Sequence, residues 1–202
     1  MNTRPPTLLL FDLGGVLLEN TAFDALTQLS SSPLGLGDFK ERWLSSPAVR
    51  SFELGHSAPR DFATAFLDEW QVALSPDEFL REFTAWPRGF YPGARELLTT
   101  LRKDFRTACL SNSNALHWEK FGGFQGIFDY ALSSHRLGVI KPDQSAFLRA
   151  LEICAVAPAE VYFFDDSLSN IRSAERLGLR AFHVEGVVQL KHVLSAHGLL
   201  AI

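Results

Sequence analysis

With 202 residues, 47% of them hydrophobic, the chain can bury a full core, as one large domain or as one domain carrying an insertion. A formal net charge of −4 leaves no basic excess of the kind nucleic-acid binding uses, and the four-residue apolar run before Asp12 is too short for a signal segment or a membrane span. Cys109 and Cys154 lie in apolar surroundings without CxxC or Cys/His spacing, so they read as reduced core residues rather than zinc ligands, and the chain reads as a soluble cytoplasmic protein.

The first element is LLLF, residues 8–11, a run short enough and apolar enough for a strand buried on both faces. It ends on Asp12, followed by Gly14 and Gly15; an unpaired carboxylate against a buried strand loses several kcal/mol of solvation, so something must compensate it. Residues 19–88 contain no strand-like run and carry helical patterns over 23–29, 39–44, 62–70 and 79–86. SPDEFLREF, from Ser75, has a serine cap, a proline at the first helical position and a glutamate three residues after the cap, which predicts a helix start there. Pro87 to Gly93 then leads back toward strand-forming sequence.

Beyond it, Ala94, Leu97, Leu98 and Leu101 trace one helical face, TACL (107–110) and YAL (130–132) read as strands, and Ala146, Phe147, Ala150, Leu151 and Cys154 trace a second face after Pro142. VYFF (161–164) is a further strand, the stripe Leu168, Ile171, Ala174, Leu177 a helix stopped by Gly178, and AFHV (181–184) a last strand. This alternation predicts an α/β fold, a doubly wound parallel sheet interrupted after its first strand by a helical cap: core 1–18 and 89–202, cap 19–88. The aromatics, 17 Phe among them, read as core, and the sequence contains no internal repeat or low-complexity tract.

In an open parallel sheet ligands bind outside the carboxyl ends of the strands. The residues found there are Asp12, the SNSN run from Ser111, and the DDSLSN run from Asp165, with Lys141 ahead of the Pro142 helix. Taken singly, Asp12, Ser111 and Asn112 are ordinary turn or cap residues, Lys141 a solvated side chain and Asn170 a local cap. Asp165 and Asp166 are harder to explain that way, because adjacent acids repel each other without a cation.

Together and in order, FDLGG, LSNSN, IKPD and FFDDSLSN resemble the four motifs of the haloacid dehalogenase-like hydrolase superfamily, over nearly the whole chain. The helical block sits where that superfamily places its C1 cap, and the motifs look most like its capped phosphatases, a branch that includes sugar-1-phosphate phosphatases and the N-terminal domain of soluble epoxide hydrolase. The resemblance implies a Rossmann-like core and a magnesium-dependent phosphatase acting on a small phosphorylated metabolite; a monomer is favoured, and charge and hydropathy point to neither nucleic acid nor membrane as partner. It implies Asp12 as nucleophile, forming an aspartyl-phosphate, and Mg2+ held by Asp12, Asp166 and the Gly14 carbonyl. Ser111, Asn112, Lys141 and Gly15 would cradle the phosphate, with Asp165 and Asn170 one step back from it.

One departure stands out. Most phosphatases of this superfamily carry a second aspartate two residues after the nucleophile, as general acid and base, and here that position is Gly14. Either the substrate has a good leaving group, such as an anomeric sugar phosphate, or another side chain supplies the proton, with Glu19, Glu53 and His56 as candidates, or turnover is poor. Arg42 and Arg50 join Glu53 and His56 as residues that can face the site from the cap, while solvated helix faces account for them equally; His117 and His135 read as surface or helix-end residues. The competing functions are a phosphate-binding module without efficient turnover and a metal-independent dehalogenase, whose last motif does not keep the acid pair seen in FFDD.

Overall fold

The computed structural model describes residues 5–29 and 36–200. In chain order, β1 (Leu8–Phe11) is followed by a short strand β2 (Leu18–Asn20), five helices α1 (Ala22–Leu29), α2 (Leu36–Ser45), α3 (Pro47–Glu53), α4 (Pro59–Trp70) and α5 (Pro76–Ala85), and a return strand β3 (Pro87–Phe90). The remainder alternates through α6 (Ala94–Leu101), β4 (Arg106–Ser111), α7 (Ala115–Lys120), β5 (Tyr130–Ser133) and a single turn α8 (Ser134–Leu137). It ends with α9 (Gln144–Cys154), β6 (Val161–Asp165), α10 (Leu168–Arg176), β7 (Arg180–His183) and α11 (Gly186–Ala196).

The main sheet is parallel throughout, in the order β5-β4-β1-β6-β7. From β1 the sheet grows to one side through β4 and β5, and the chain then crosses back to β6 on the other side of β1. The topological switch therefore falls at the carboxyl end of β1, where a crevice opens between β4 and β6. β1 is apolar at every position because both of its faces are covered. Leu9 and Phe11 pack with Leu97, Leu98, Leu190 and Leu194 from α6 and α11, while Leu8 and Leu10 meet Phe147, Leu151 and Ile171 from α9 and α10. Each such side chain contributes about 1.5–3 kcal/mol relative to leaving it in water.

Helices α1–α5 bury a cluster of their own, in which Phe52 stacks on Phe62 at 4.3 Å and Phe66 on Phe79 at 4.8 Å between ring centres. The capping box at the start of α5 is complete: the Glu78 amide donates to Ser75 Oγ (3.3 Å) and the Ser75 amide donates to Glu78 Oε2 (2.9 Å). Three contacts tie this helical unit to the rest. Lys120 Nζ donates to the carbonyls of Thr84 and Ala85 at the end of α5 and of Pro87 just beyond it, His117 Nε2 lies 2.7 Å from the Phe83 carbonyl oxygen, and Arg50 of α3 pairs with Asp143 at 2.7 Å.

The structure differs from the sequence reading in three respects. The passages into and out of the helical unit are strands, β2 and β3, paired antiparallel as a two-stranded ribbon; three residues on one side and Pro-Arg-Gly-Phe on the other are too short and irregular to show a period of two. Helices α3, α7, α8 and α11 were not expected, and β7 begins and ends one residue earlier than AFHV. Cys109 and Cys154 are free and buried, as expected. Among the described residues no helix is long and apolar enough to cross a membrane.

Candidate active site

Three strand ends converge at the switch point. Asp12 follows β1, Ser111 closes β4 and Asp165 closes β6, with Asp166 next in the chain. Lys141 reaches them from the loop before α9; its side chain is 1% exposed and its Nζ donates to Asp12 Oδ1 (2.8 Å) and Asp165 Oδ2 (2.6 Å). Asp165 is completely buried and fully partnered: besides Lys141 it accepts from the Ser167 amide (2.8 Å) and from Asn170 Nδ2 (3.0 Å to each oxygen). Asn170 thus orients Asp165, and Lys141 only through it. One carboxylate oxygen from each of Asp12, Asp165 and Asp166 lies within 4.8 Å of the other two, an all-oxygen donor set of the kind hard divalent cations prefer.

The electrostatics follow from three carboxylates facing one ammonium. Burial pushes the Asp12 carboxyl up to about 7; Lys141 pulls it back, and Asp165 and Asp166 push it further up. Burial by itself would lower the Lys141 pKa, but the charges of Asp12 and Asp165 outweigh that and raise it. Both partners of one contact are raised because burial, reinforced by Asp165 and Asp166, outweighs the pull of the ammonium on Asp12, while the ammonium has two anions to itself. A divalent cation would remove this imbalance, so the residues present fit one.

The second glycine of FDLGG has a physical reason. Gly15 has φ +77°, and a Cβ added there would come within 2.6 Å of Asp166 Oδ2. The backbone turns away from β1 only because it can pass under that carboxylate, and the Gly15 carbonyl then accepts from the Gly186 amide at the start of α11 (2.7 Å).

A family model described as haloacid dehalogenase-like hydrolase matches residues 6–178. The chain belongs to this family. It is 30% identical to the phosphoglycolate phosphatase of Pseudomonas putida, over 87% of this chain and 68% of that protein. It is 25% identical to phosphatase MT3486 of Mycobacterium tuberculosis, over 87% of this chain and 85% of that protein. HAD family enzyme bt-2542 of Bacteroides thetaiotaomicron, crystallised with magnesium and inorganic phosphate, has the same fold (TM-score 0.76, 21% identity, 93% of this chain and 98% of that one).

In this haloacid dehalogenase-like hydrolase the remaining motif residues hold the site together in ways the motifs alone did not reveal. The Asn112 side chain clamps the Lys141 backbone, donating to its carbonyl (2.8 Å) and accepting from its amide (2.9 Å). Ser173 of α10 donates to the Pro142 carbonyl (2.6 Å), so the lysine loop is pinned from two elements. The Ser111 hydroxyl makes only a long 3.5 Å contact with the Asn112 carbonyl. Beside it lies a cavity of about 60 Å³ lined by Gly14, Leu18, Ser111, Asn112, His117 and Phe124.

Of the helical-unit candidates, one faces this hydrolase's site. Glu53, the last residue of α3, is buried, accepts a hydrogen bond from the Trp43 indole and interacts electrostatically with Asp12 and Lys141; burial pushes its carboxyl up to about 7. His56 is exposed, Glu19 is paired with Arg88 at 3.6 Å, and Arg42 lies over the Trp70 ring with its guanidinium bonded to the Glu69 carbonyl. His135 is half-buried, its Nδ1 2.6 Å from Ser133 Oγ.

His117 is not a surface residue. It is half-buried on α7 against the Phe83 ring, with Nδ1 facing the Asn114 amide nitrogen (3.1 Å) and Nε2 the Phe83 carbonyl (2.7 Å). Only the neutral ring with its proton on Nε2 satisfies both, and burial lowers its pKa to about 4. The unfolded chain takes up this proton near pH 6.5 and the folded one does not until about 4, so stability falls as pH drops through that window. Urea unfolding at pH 7 and pH 4.5 is expected to show a loss smaller in His117→Gln than in the wild type by about 2 kcal/mol. Equal losses would mean the ring protonates freely in the fold.

Proposed function

We propose that this hydrolase is a magnesium-dependent phosphomonoesterase that acts on a small phosphorylated metabolite, a sugar phosphate being the favoured class, through an aspartyl-phosphate on Asp12. The observation that carries the reading is the shared Lys141 ammonium between Asp12 and Asp165, with Asp166 beside them. A phosphate ester repels an anionic nucleophile, and this arrangement holds an attacking carboxylate next to fixed positive charge with a further cation site alongside.

Asp12, Asp166 and the Gly14 carbonyl would hold the metal, with Asp165 and Asn170 behind them. When bound, the cation neutralises charge on the phosphoryl oxygens and on Asp12. Asp12 attacks phosphorus; the Ser111 hydroxyl and the Asn112 amide donate to phosphoryl oxygens; Lys141 balances the charge that accumulates on them. Asp165, held by Ser167 and Asn170, keeps the ammonium aimed. In this reading residues 19–88 form a cap that closes over the crevice and excludes water. The relative named for phosphoglycolate makes a phosphorylated hydroxy acid the competing substrate class.

Gly14 is the observation that favours a second reading, a phosphate-binding module with little turnover, since it leaves no acid two residues after Asp12. Within the sugar phosphates, the anomeric ester is the one whose leaving oxygen least needs a proton. The deciding measurement is phosphate release from anomeric and primary phosphates of one sugar, in magnesium and in EDTA. Release that needs magnesium is expected; halide release from haloacids that ignores EDTA would point to dehalogenation, and no turnover at all would point to the binding module.

A further inference from the structure

We propose that Glu53 is a catalytic residue of this site, the proton donor and acceptor that stands in for the side chain missing at Gly14. The inference rests on the phosphatase reading with Asp12 as nucleophile. It begins from geometry. Glu53 comes from a different part of the fold than every other site residue: it is the buried last residue of α3, whose Arg50 pairs at 2.7 Å with Asp143, two residues past Lys141, which sets the end of this helix at the seam between the helical unit and the sheet, and its charge acts on Asp12 and Lys141. It is 9% exposed, and none of the ion pairs among the described residues involves it. Lys141 is engaged by Asp12 and Asp165.

The carboxyl is held from several sides. The Trp43 indole donates to it, and Trp43 is itself wedged among Phe66, Trp70, Phe83 and Trp86 at ring separations of 5.9 to 6.5 Å. One turn earlier on α3, Arg50 pairs with Asp143 near the lysine loop. Two residues later, Gly55 (φ +77°) lets the chain press against α8, where an added Cβ would lie 2.4 Å from the His135 carbonyl oxygen. This buried acid ends a helix anchored to the core on both flanks, and among the described residues it has one neutral donor and no cation paired with it. The other two candidates lack this placement: the Glu19 side chain is 48% exposed and paired with Arg88, and His56 is exposed. The raised pKa of Glu53 agrees with a group that carries a proton near neutrality and can release it.

The step balances as follows. As an Asp12 oxygen bonds to phosphorus, the bond from phosphorus to the ester oxygen breaks and the Glu53 proton moves to that departing oxygen, giving the free alcohol and a Glu53 carboxylate. Water then attacks phosphorus; Glu53 takes its proton as the bond between phosphorus and the Asp12 oxygen breaks, restoring the Asp12 carboxylate, the Glu53 acid and inorganic phosphate.

The test is leaving-group dependence of the first turnover, measured by rapid quench in magnesium with 4-nitrophenyl phosphate and with a primary sugar phosphate. Nitrophenolate departs without help, so Glu53→Gln is expected to change its first turnover by less than about 10-fold while slowing that of the primary ester by about 10²- to 10⁴-fold. Steady-state turnover should fall for both, because both pass through the same water attack. Equal loss on the two esters in Glu53→Gln and again in Glu53→Ala would mean a structural role and overturn the inference, as would an unchanged first turnover of the primary ester. If wild-type protein releases nothing from either ester, or Asp12→Asn releases phosphate as fast as wild type, the phosphatase reading fails instead.

Discussion

Asp12→Asn is expected to lower phosphate release by at least about 10⁴-fold in magnesium, the order of loss seen when a nucleophile is deleted from a site whose binding groups remain. The substitution is isosteric and keeps an acceptor for Lys141 Nζ, now 2.8 Å from Asp12 Oδ1, so the fold should survive it. Stability should move the other way in metal-free protein. The folded pKa of Asp12 lies above its ordinary value, so between about pH 4 and 7 the unfolded chain ionises this group more readily than the folded one, and the wild type loses stability as pH rises through that window. The asparagine variant lacks that loss, and its thermal midpoint in EDTA at pH 7.5 should equal or exceed the wild-type value. Activity and stability moving apart is the signature of a group placed for chemistry. Retention of a tenth or more of the wild-type rate would put the nucleophile elsewhere.

The α/β core was legible because its strands satisfy one condition apiece. LLLF, TACL and VYFF are apolar or nearly so since helices cover both faces of a parallel sheet, and the residue after each run stands at a strand end by necessity. The carboxylates of Asp12 and Asp165 and the Ser111 hydroxyl could therefore be brought to one crevice before any coordinates were known. Which side chain supports which could not. Asn112 and Lys141 are 29 residues apart and exchange two hydrogen bonds, and Ser173 and Pro142 are 31 apart; neither pairing leaves a trace in spacing.

Glu53 shows the limit most plainly. Helix α3 is seven residues long, too short for a periodic stripe, and its start signal, Ser46 as cap and Pro47 at the first position, went unread. Its side chain acquires meaning only when Trp43 is beneath it and Asp12 across from it. His117 does sit in the last turn of its helix, but its partner was hidden for the same reason: Phe83, whose carbonyl its ring faces, is 34 residues away in another structural unit.

The second large effect concerns Lys141. Among the described residues its ammonium is the sole cation paired with Asp12 and Asp165, and it is itself buried with the Phe163 ring centre at 5.5 Å from its Nζ. Lys141→Met keeps the length and apolar stem of the side chain and deletes only the charge. Removing one partner of a buried ion pair leaves the other uncompensated, at a cost of about 3–5 kcal/mol, and here two carboxylates lose their partner at once. We expect urea unfolding in EDTA to show a loss of that size, together with loss of phosphate release. Adding Asp165→Asn to Lys141→Met should recover part of the stability, because Asn170 and the Ser167 amide then face a neutral group while one orphaned charge is gone; the double variant should stay inactive, since nothing balances charge on the transferred phosphoryl group. Magnesium should narrow the gap between Lys141→Met and wild type, as a cation held by Asp12 and Asp166 replaces part of the missing positive charge and its binding to the folded state alone adds stability. A single variant that unfolds within about 1 kcal/mol of wild type in EDTA would mean that Asp12 is already protonated in the metal-free fold, and that the ammonium serves the phosphate rather than the carboxylates.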